Sequence, residues 1–147
     1  MSQENVEAVH RIFEEFIAGK VEFDSDGRVT KMAGEEFWDA DIEWDASEAS
    51  EFGIPDLGGV YRGAEEVREF WGQWLAAWEA VEFEYELVDA GEQVVALVDQ
   101  RMRGRSTGIE VPFGKYAQVY TLRNGLVVHW KAYASQSKAV EAAGLSE

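Results

Sequence analysis

Apolar residues return at every third or fourth position from Gln3 to Ile17, where Val6, Val9, Phe13, Phe16 and Ile17 make one stripe. That spacing predicts an amphipathic helix with Ser2 as N-cap and Gly19 as its stop. The same period comes back after Gly63 in Val67, Phe70, Trp71, Trp74, Leu75 and Trp78, with Glu65 and Glu66 in the first turn, where the helix dipole favours acids. Between these helices, residues 20–32 place Asp26-Gly27 between short β-prone runs and read as a loop or small hairpin. Glu35–Asp39 suits a short helix, and Ile42, Trp44 and Ala46 then alternate with Glu43 and Asp45 as in a strand. Residues 47–62 hold Pro55, Gly53, Gly58 and Gly59 in a polar connection long enough to suggest a lid or site-edge loop.

Beyond Trp78 the period changes to two. Phe83, Tyr85 and Leu87 alternate with Glu82, Glu84 and Glu86, one buried face against one solvated face. From Val94 to Arg103 one face carries Val94, Ala96, Val98, Gln100 and Met102, the other Val95, Leu97, Asp99, Arg101 and Arg103. A turn is expected over Gly104–Gly108, and Tyr116–Leu122 meets Leu126–Ala134 across Asn124-Gly125, the strongest hairpin signal in the chain. Lys138–Ala143 suits a closing helix. Helices that precede and interrupt a meander give an α+β class, a curved antiparallel sheet packed on helices in one domain spanning 1–147.

Charge narrows the function. The 147 residues carry 29 acids and 13 bases, net −16, and residues 1–99 alone hold 26 acids against 6 bases. A phosphate backbone would meet repulsion over most of this surface, so nucleic acid is not an expected partner. With no Cys and two His, thiolate chemistry is excluded and neither a metal nor another cofactor is expected. The start lacks the basic and apolar regions of a signal peptide and no apolar run approaches a membrane span, so a soluble cytoplasmic protein with no membrane partner is expected.

The element order, with Gly59-Val60-Tyr61-Arg62-Gly63 running into Glu66-Val67-Arg68-Glu69-Phe70, Asp41-Ile42-Glu43-Trp44 on the first strand and Leu122-Arg123-Asn124-Gly125 in the last hairpin, resembles the nuclear transport factor 2-like superfamily and, within it, the SnoaL-like group. The resemblance implies a cone, with the sheet wrapped around the N-terminal helices and a pocket between them. Relatives include polyketide cyclases, ketosteroid isomerases and epoxide hydrolases, besides binding and scaffold domains, and fold alone does not choose among them. Matched residue by residue, the isomerase-like oxyanion tyrosine falls on Ile12, the base carboxylate on Trp44 and the neutral acid on Gln118, so none of the three groups is kept. Asp99 and Arg101 offer only a faint likeness to the epoxide hydrolases.

The concave wall is expected to present Trp44, Gln100, Met102, Tyr116, Gln118, Tyr120, Trp130 and Ala132. Such a wall suits a small hydrophobic or aromatic molecule held by stacking and a few hydrogen bonds. The alternative is plain core, the tyrosine hydroxyls and glutamine amides satisfying one another. Asp45 is the candidate general base if a bulge at the strand end turns it inward; otherwise it is one more exposed acid. Gln118→Leu is expected to weaken ligand binding with little loss of stability. His129 is expected on the convex face. A homodimer is expected through that face, because Val95, Leu97 and Val127 would otherwise lie in water beside Tyr133. Two functions fit: a cofactor-independent isomerase, cyclase or dehydratase on a hydrophobic substrate, or a ligand-binding or dimeric scaffold domain without turnover.

Overall fold

In the computed structural model, which describes residues 2–48, 58–104, 108 and 110–145, the first apolar stripe closes into helix α1 (Ser2–Ile17) with Val9 and Phe13 buried. Ser2 belongs to the helix rather than capping it. A small hairpin follows, β1 (Glu22–Phe23) against β2 (Val29–Lys31). Its turn is closed by Asp24, whose Oδ1 accepts the backbone N–H groups of Asp26 and Arg28, both at 2.9 Å, the usual work of an Asp in a turn. Only Glu35–Phe37 form the expected short helix, as a single 3-10 turn. Arg68 grips Glu35 through both of its carboxylate oxygens, which ties this turn to the second helix.

Six strands make the main sheet: β3 (Trp38–Asp45), β4 (Val60–Arg62), β5 (Trp78–Ala90), β6 (Gln93–Gly104), β7 (Glu110–Arg123) and β8 (Leu126–Tyr133). Their order is β4-β3-β8-β7-β6-β5, and every pair is antiparallel except β3 with β8. Helix α2 (Gly63–Ala77) crosses between β4 and β5, and α3 (Gln136–Ala142) ends the chain. β4 lies inside the connection expected over 47–62; it pairs with the end of β3, Asp45 opposite Val60. Of that connection, residues 49–57 fall outside the described residues, as do 105–107 of the expected 104–108 turn.

Two irregularities change which face a residue occupies. Strand β7 starts six residues before the expected Tyr116 and takes in Pro112, because a bulge there sets Gln100 opposite Gly114 and Arg101 opposite Pro112. In the last hairpin Asn124 (φ 55°) and Gly125 (φ 78°) form the two-residue turn, as their sequence indicates. The ladder then slips between Thr121 and Leu122, so that Leu122 faces Val127 while Thr121 faces His129. This extra residue puts Val127 in the main core, fully buried, and not on the convex face.

Helices α1 and α2 pack on the inner face of the sheet, while α3 covers part of the outer face. Ser135 caps α3 by accepting the Lys138 N–H, and Ala139, fully buried, packs with Val95, Ala117 and Val119. The reason for expecting a dimer is therefore corrected: Val95 and Val127 are buried within the chain, and Leu97 is partly covered by the same cluster. No helix among the described residues is long and apolar enough to cross a membrane.

The turn before β3 generates a prediction. Gly34 holds φ 76°, its N–H is accepted by Glu15, and a Cβ there would stand 2.7 Å from Ile12 Cγ1 on α1. Gly34→Ala should lower stability in urea unfolding by about 2 kcal/mol or more, the sum of left-handed strain and overpacking. Gly19→Ala, at φ 72° with open space around it, should cost only the strain, about 1 kcal/mol. Equal losses would show that the contact with α1 contributes nothing.

Candidate functional site: an aromatic cavity between helices and sheet

Ile12, Phe13 and Phe16 on α1 face Phe70, Trp71 and Trp74 on α2, and the inner sheet face closes the space behind them. The cavity holds about 90 Å³, room for several waters or one small ring. Helical spacing explains the helix walls: positions 12, 13 and 16, and 70, 71 and 74, are neighbours on one face. From the sheet come Trp44 and Ala46 on β3, Phe83 on β5, Gln100 on β6, Tyr116, Gln118 and Tyr120 on β7, and Trp130 and Ala132 on β8, each at the inward register of its strand. Among the described lining residues none carries a charge.

The rings are ordered by contact with one another. Trp44 and Trp130, directly paired across β3 and β8, stack at 3.9 Å with 9° between their planes. Trp71 stands edge-on to Trp44 at 5.8 Å, and Phe70 edge-on to Trp71 at 5.4 Å.

The polar members form one chain of hydrogen bonds. Tyr120 Oη donates to Gln118 Oε1 at 2.6 Å, and Trp130 Nε1 donates to the same oxygen at 3.3 Å. Gln118 Nε2 donates to Tyr116 Oη at 2.9 Å, and Tyr116 Oη donates to Gln100 Oε1 at 2.8 Å. Gln100 Nε2 ends the chain on the sulfur of Met102 at 3.3 Å. The amides and hydroxyls thus satisfy one another, as buried polar groups must. Burial pushes both tyrosines far above the ordinary phenol range; for Tyr120 the neighbouring Tyr116 adds to the rise. Both hydroxyls are therefore neutral donors.

Seven of the eight positions expected on the concave wall line this cavity: Trp44, Gln100, Tyr116, Gln118, Tyr120, Trp130 and Ala132. Met102 does not. It is 2% exposed and lies behind Gln100, its sulfur serving as the acceptor described above.

Asp45 is a second correction. The bulge that was to turn it inward is absent: Glu43, Trp44 and Asp45 run in unbroken register with both β4 and β8, so Asp45 takes the face opposite Trp44. There it accepts the Ser47 N–H at 2.9 Å and lies 3.8 Å from Lys131 Nζ. Partial burial pushes its carboxyl up, but the bonds from Ser47 and the charges of Lys131 and His129 outweigh that and hold it below the usual aspartate range. His129 shares this outer face, 3.9 Å from Glu43, as expected from its alternation with Trp130. Asp99 and Arg101 are both exposed on the outer face of β6 and do not reach the cavity.

In the sequence the helix residues of the wall, Trp71 and Trp74 among them, show only as apolar stripes. A stripe that fills the interior and a stripe that borders a hollow have the same period, so no signal in the sequence separates them. Ile12, Trp44 and Gln118, the positions that the isomerase resemblance singles out, all lie on the cavity wall.

Comparison with known proteins agrees with this architecture. No functionally curated protein matches the chain. Among solved structures, a nuclear transport factor 2-like protein of unknown function from Burkholderia pseudomallei is 20% identical, covers 94% of this chain and 95% of its own, and superposes with a TM-score of 0.71. TerC, co-crystallised with polyporic acid, is 17% identical over 96% of this chain and 98% of its own, with a TM-score of 0.68. A putative SnoaL-like polyketide cyclase from Jannaschia is 15% identical over 99% and 94%, with a TM-score of 0.65. These likenesses show the fold, the curved α+β cone of nuclear transport factor 2-like proteins. The profile of the SnoaL-like domain matches residues 9–130, most of the length of the chain, and the protein belongs to that family.

Proposed function

We propose that this protein binds a flat, largely apolar small molecule in the cavity between α1, α2 and the inner face of the sheet, and holds it without chemical change. One observation carries the reading: the wall is aromatic, and its polar groups are amides, hydroxyls and indoles that keep their protons near neutral pH. Stacking and uncharged hydrogen bonds suit retention of a planar molecule. Isomerisation, cyclisation or dehydration by proton transfer needs a group that gains and loses a proton at the working pH. The carboxylate considered for that task, Asp45, faces away from the cavity and is paired to Ser47 and Lys131. The presence of polyporic acid in crystals of TerC supports a small-molecule occupant by likeness of fold.

Native mass spectrometry of the gently purified protein tests the reading. An added mass released on unfolding, or binding of planar apolar compounds with loss of affinity in Trp130→Ala, is the expected result. A bare chain that takes up none of them would refute it.

Two stability measurements follow from the same network. Gln118→Leu strands the hydroxyl of Tyr120 and the indole N–H of Trp130, so it should cost about 2–4 kcal/mol in urea unfolding, in contrast to the small loss expected from sequence. A loss below about 0.5 kcal/mol would show that the network does not hold the sheet.

Alkaline pH probes the tyrosines. Their folded pKa values lie above the ordinary value of 10.0, so the stability they contribute is complete below pH 10.0 and is lost as pH rises beyond it. Of the five tyrosines, Tyr116 and Tyr120 should ionise only as the chain unfolds, seen as one late phenolate absorbance step worth two tyrosines and coincident with loss of circular dichroism. Ionisation of all five before unfolding would contradict their burial.

A further inference from the structure

Two indole N–H groups on the cavity wall have no acceptor. Trp44 Nε1 and Trp71 Nε1 are both buried and meet no hydrogen-bond partner, whereas the indole of Trp130, stacked on Trp44, gives its N–H to Gln118. Trp44 as a whole is 3% exposed. Orphaned buried donors are rare, because a donor that leaves water for no acceptor is destabilising, and an unmade N–H bond is worse tolerated than a spare lone pair. The two indoles belong to β3 and α2 and touch each other edge to face. Strand β8 separates β3 from β7 and β6, which carry the two amides.

Those amides also have hydrogens to spare. Gln118 Nε2 spends one of its two on Tyr116, and Gln100 Nε2 spends one on a thioether, a weak acceptor. Each bond in the chain polarises the next, so the amide that ends it is a better donor than an isolated one. Donors therefore stand at two separate places on the wall, in a cavity whose described lining residues bear no charge. A carboxylate would satisfy donors but lose its hydration with no cation beside it, inside a chain of net −16. A cation would find aromatic faces, but also N–H groups that repel it.

Resting on the reading that this cavity holds a small molecule, we propose that its ligand is an uncharged planar compound with hydrogen-bond-accepting oxygens at two separated positions, one taken by the indole N–H groups of Trp44 and Trp71, the other by the spare amide hydrogens of Gln118 and Gln100. Neither indole N–H is exposed at the cavity surface, so the ligand must part the rings from the apolar atoms that cover them. Diones and quinones have this form. An aromatic hydrocarbon of the same outline fills the space but leaves the donors orphaned.

Equilibrium dialysis with three single-ring probes, of the size that the cavity admits, tests the proposal: benzoquinone with para oxygens, tropone with one oxygen, and benzene with none. The chain has no Cys, so the quinone has no thiol to alkylate. The expected order is benzoquinone, tropone, benzene, with about tenfold or more between first and last. Trp44→Phe and Trp71→Phe keep an aromatic ring and remove the donor. Each should weaken benzoquinone by about fivefold and leave benzene within about twofold. Thermal melts followed by circular dichroism establish that both variants fold; should Trp44→Phe not fold, Trp71→Phe at the more exposed indole decides alone. Equal affinity for all three probes, or variants that weaken all three alike, would overturn the proposal and leave the binding reading intact. Failure of all three to bind would overturn the binding reading and this proposal with it.

Discussion

An uncharged amide in an apolar interior constrains most of this structure. Gln118 is 7% exposed, and its oxygen and nitrogen must both be paired without help from bulk water. Two donors, Tyr120 and Trp130, meet the oxygen, and one acceptor, Tyr116, meets the nitrogen. These three partners come from Gln118's own strand and from β8 beside it. Fixing them fixes the orientation of Trp130, and the stack of Trp130 on Trp44 carries that order to β3. The reverse side of β7 is held as firmly, since Ala117 and Val119 are covered by Val95 and by α3. The central strand is thus pinned on one face by polar bonds and on the other by apolar contact.

At the positions that the isomerase resemblance singles out, this cone holds groups of different chemistry. Where the resemblance calls for a carboxylate, Trp44 presents an N–H group, so a proton acceptor is replaced by a donor. Where it calls for an oxyanion hydroxyl, Ile12 presents only methyl and methylene groups. The carboxylates of Glu43 and Asp45 are each one residue away in sequence but on the opposite face of a regularly paired strand. In an extended chain a shift of one residue is a full reversal of side, and only a bulge would undo it. None occurs at that point.

Strand periodicity made much of this legible in sequence. The alternation around Gln118, Gln100 and Trp130 reported their inward faces correctly because β6 and most of β7 are regular, and the Asn124-Gly125 turn fixed where β7 ends. What sequence could not report were events that depend on partners. Val127 changes side because the ladder slips one residue against β7, and nothing in Leu126–Tyr133 marks that slip. The burial of Val95 depends on α3, more than forty residues further on, folding back over the outer face. Gln118 read as a binding residue with little structural weight because its partners lie on two strands. Once they are known, it is both a wall of the cavity and a tie within it.

Charge and cavity are segregated by the same alternation. On β5, Glu82, Glu84 and Glu86 are exposed while Phe83 lines the cavity and Tyr85 stacks on Phe13. On β6, Asp99 and Arg101 point out on either side of the inward Gln100. The net charge of −16 is thereby carried by a shell separated from the lining by the thickness of a sheet or a helix. Screening in water weakens what such surface charges can do to a group in the interior, whereas a donor within the cavity acts in a low dielectric at full strength. The strongly acidic composition, which dominates the sequence, therefore has less influence on the cavity interior than a few neutral N–H groups. Which inward positions hold donors, acceptors or neither is thus set apart from the charge of the surface, and the pattern of the sheet survives any of those choices.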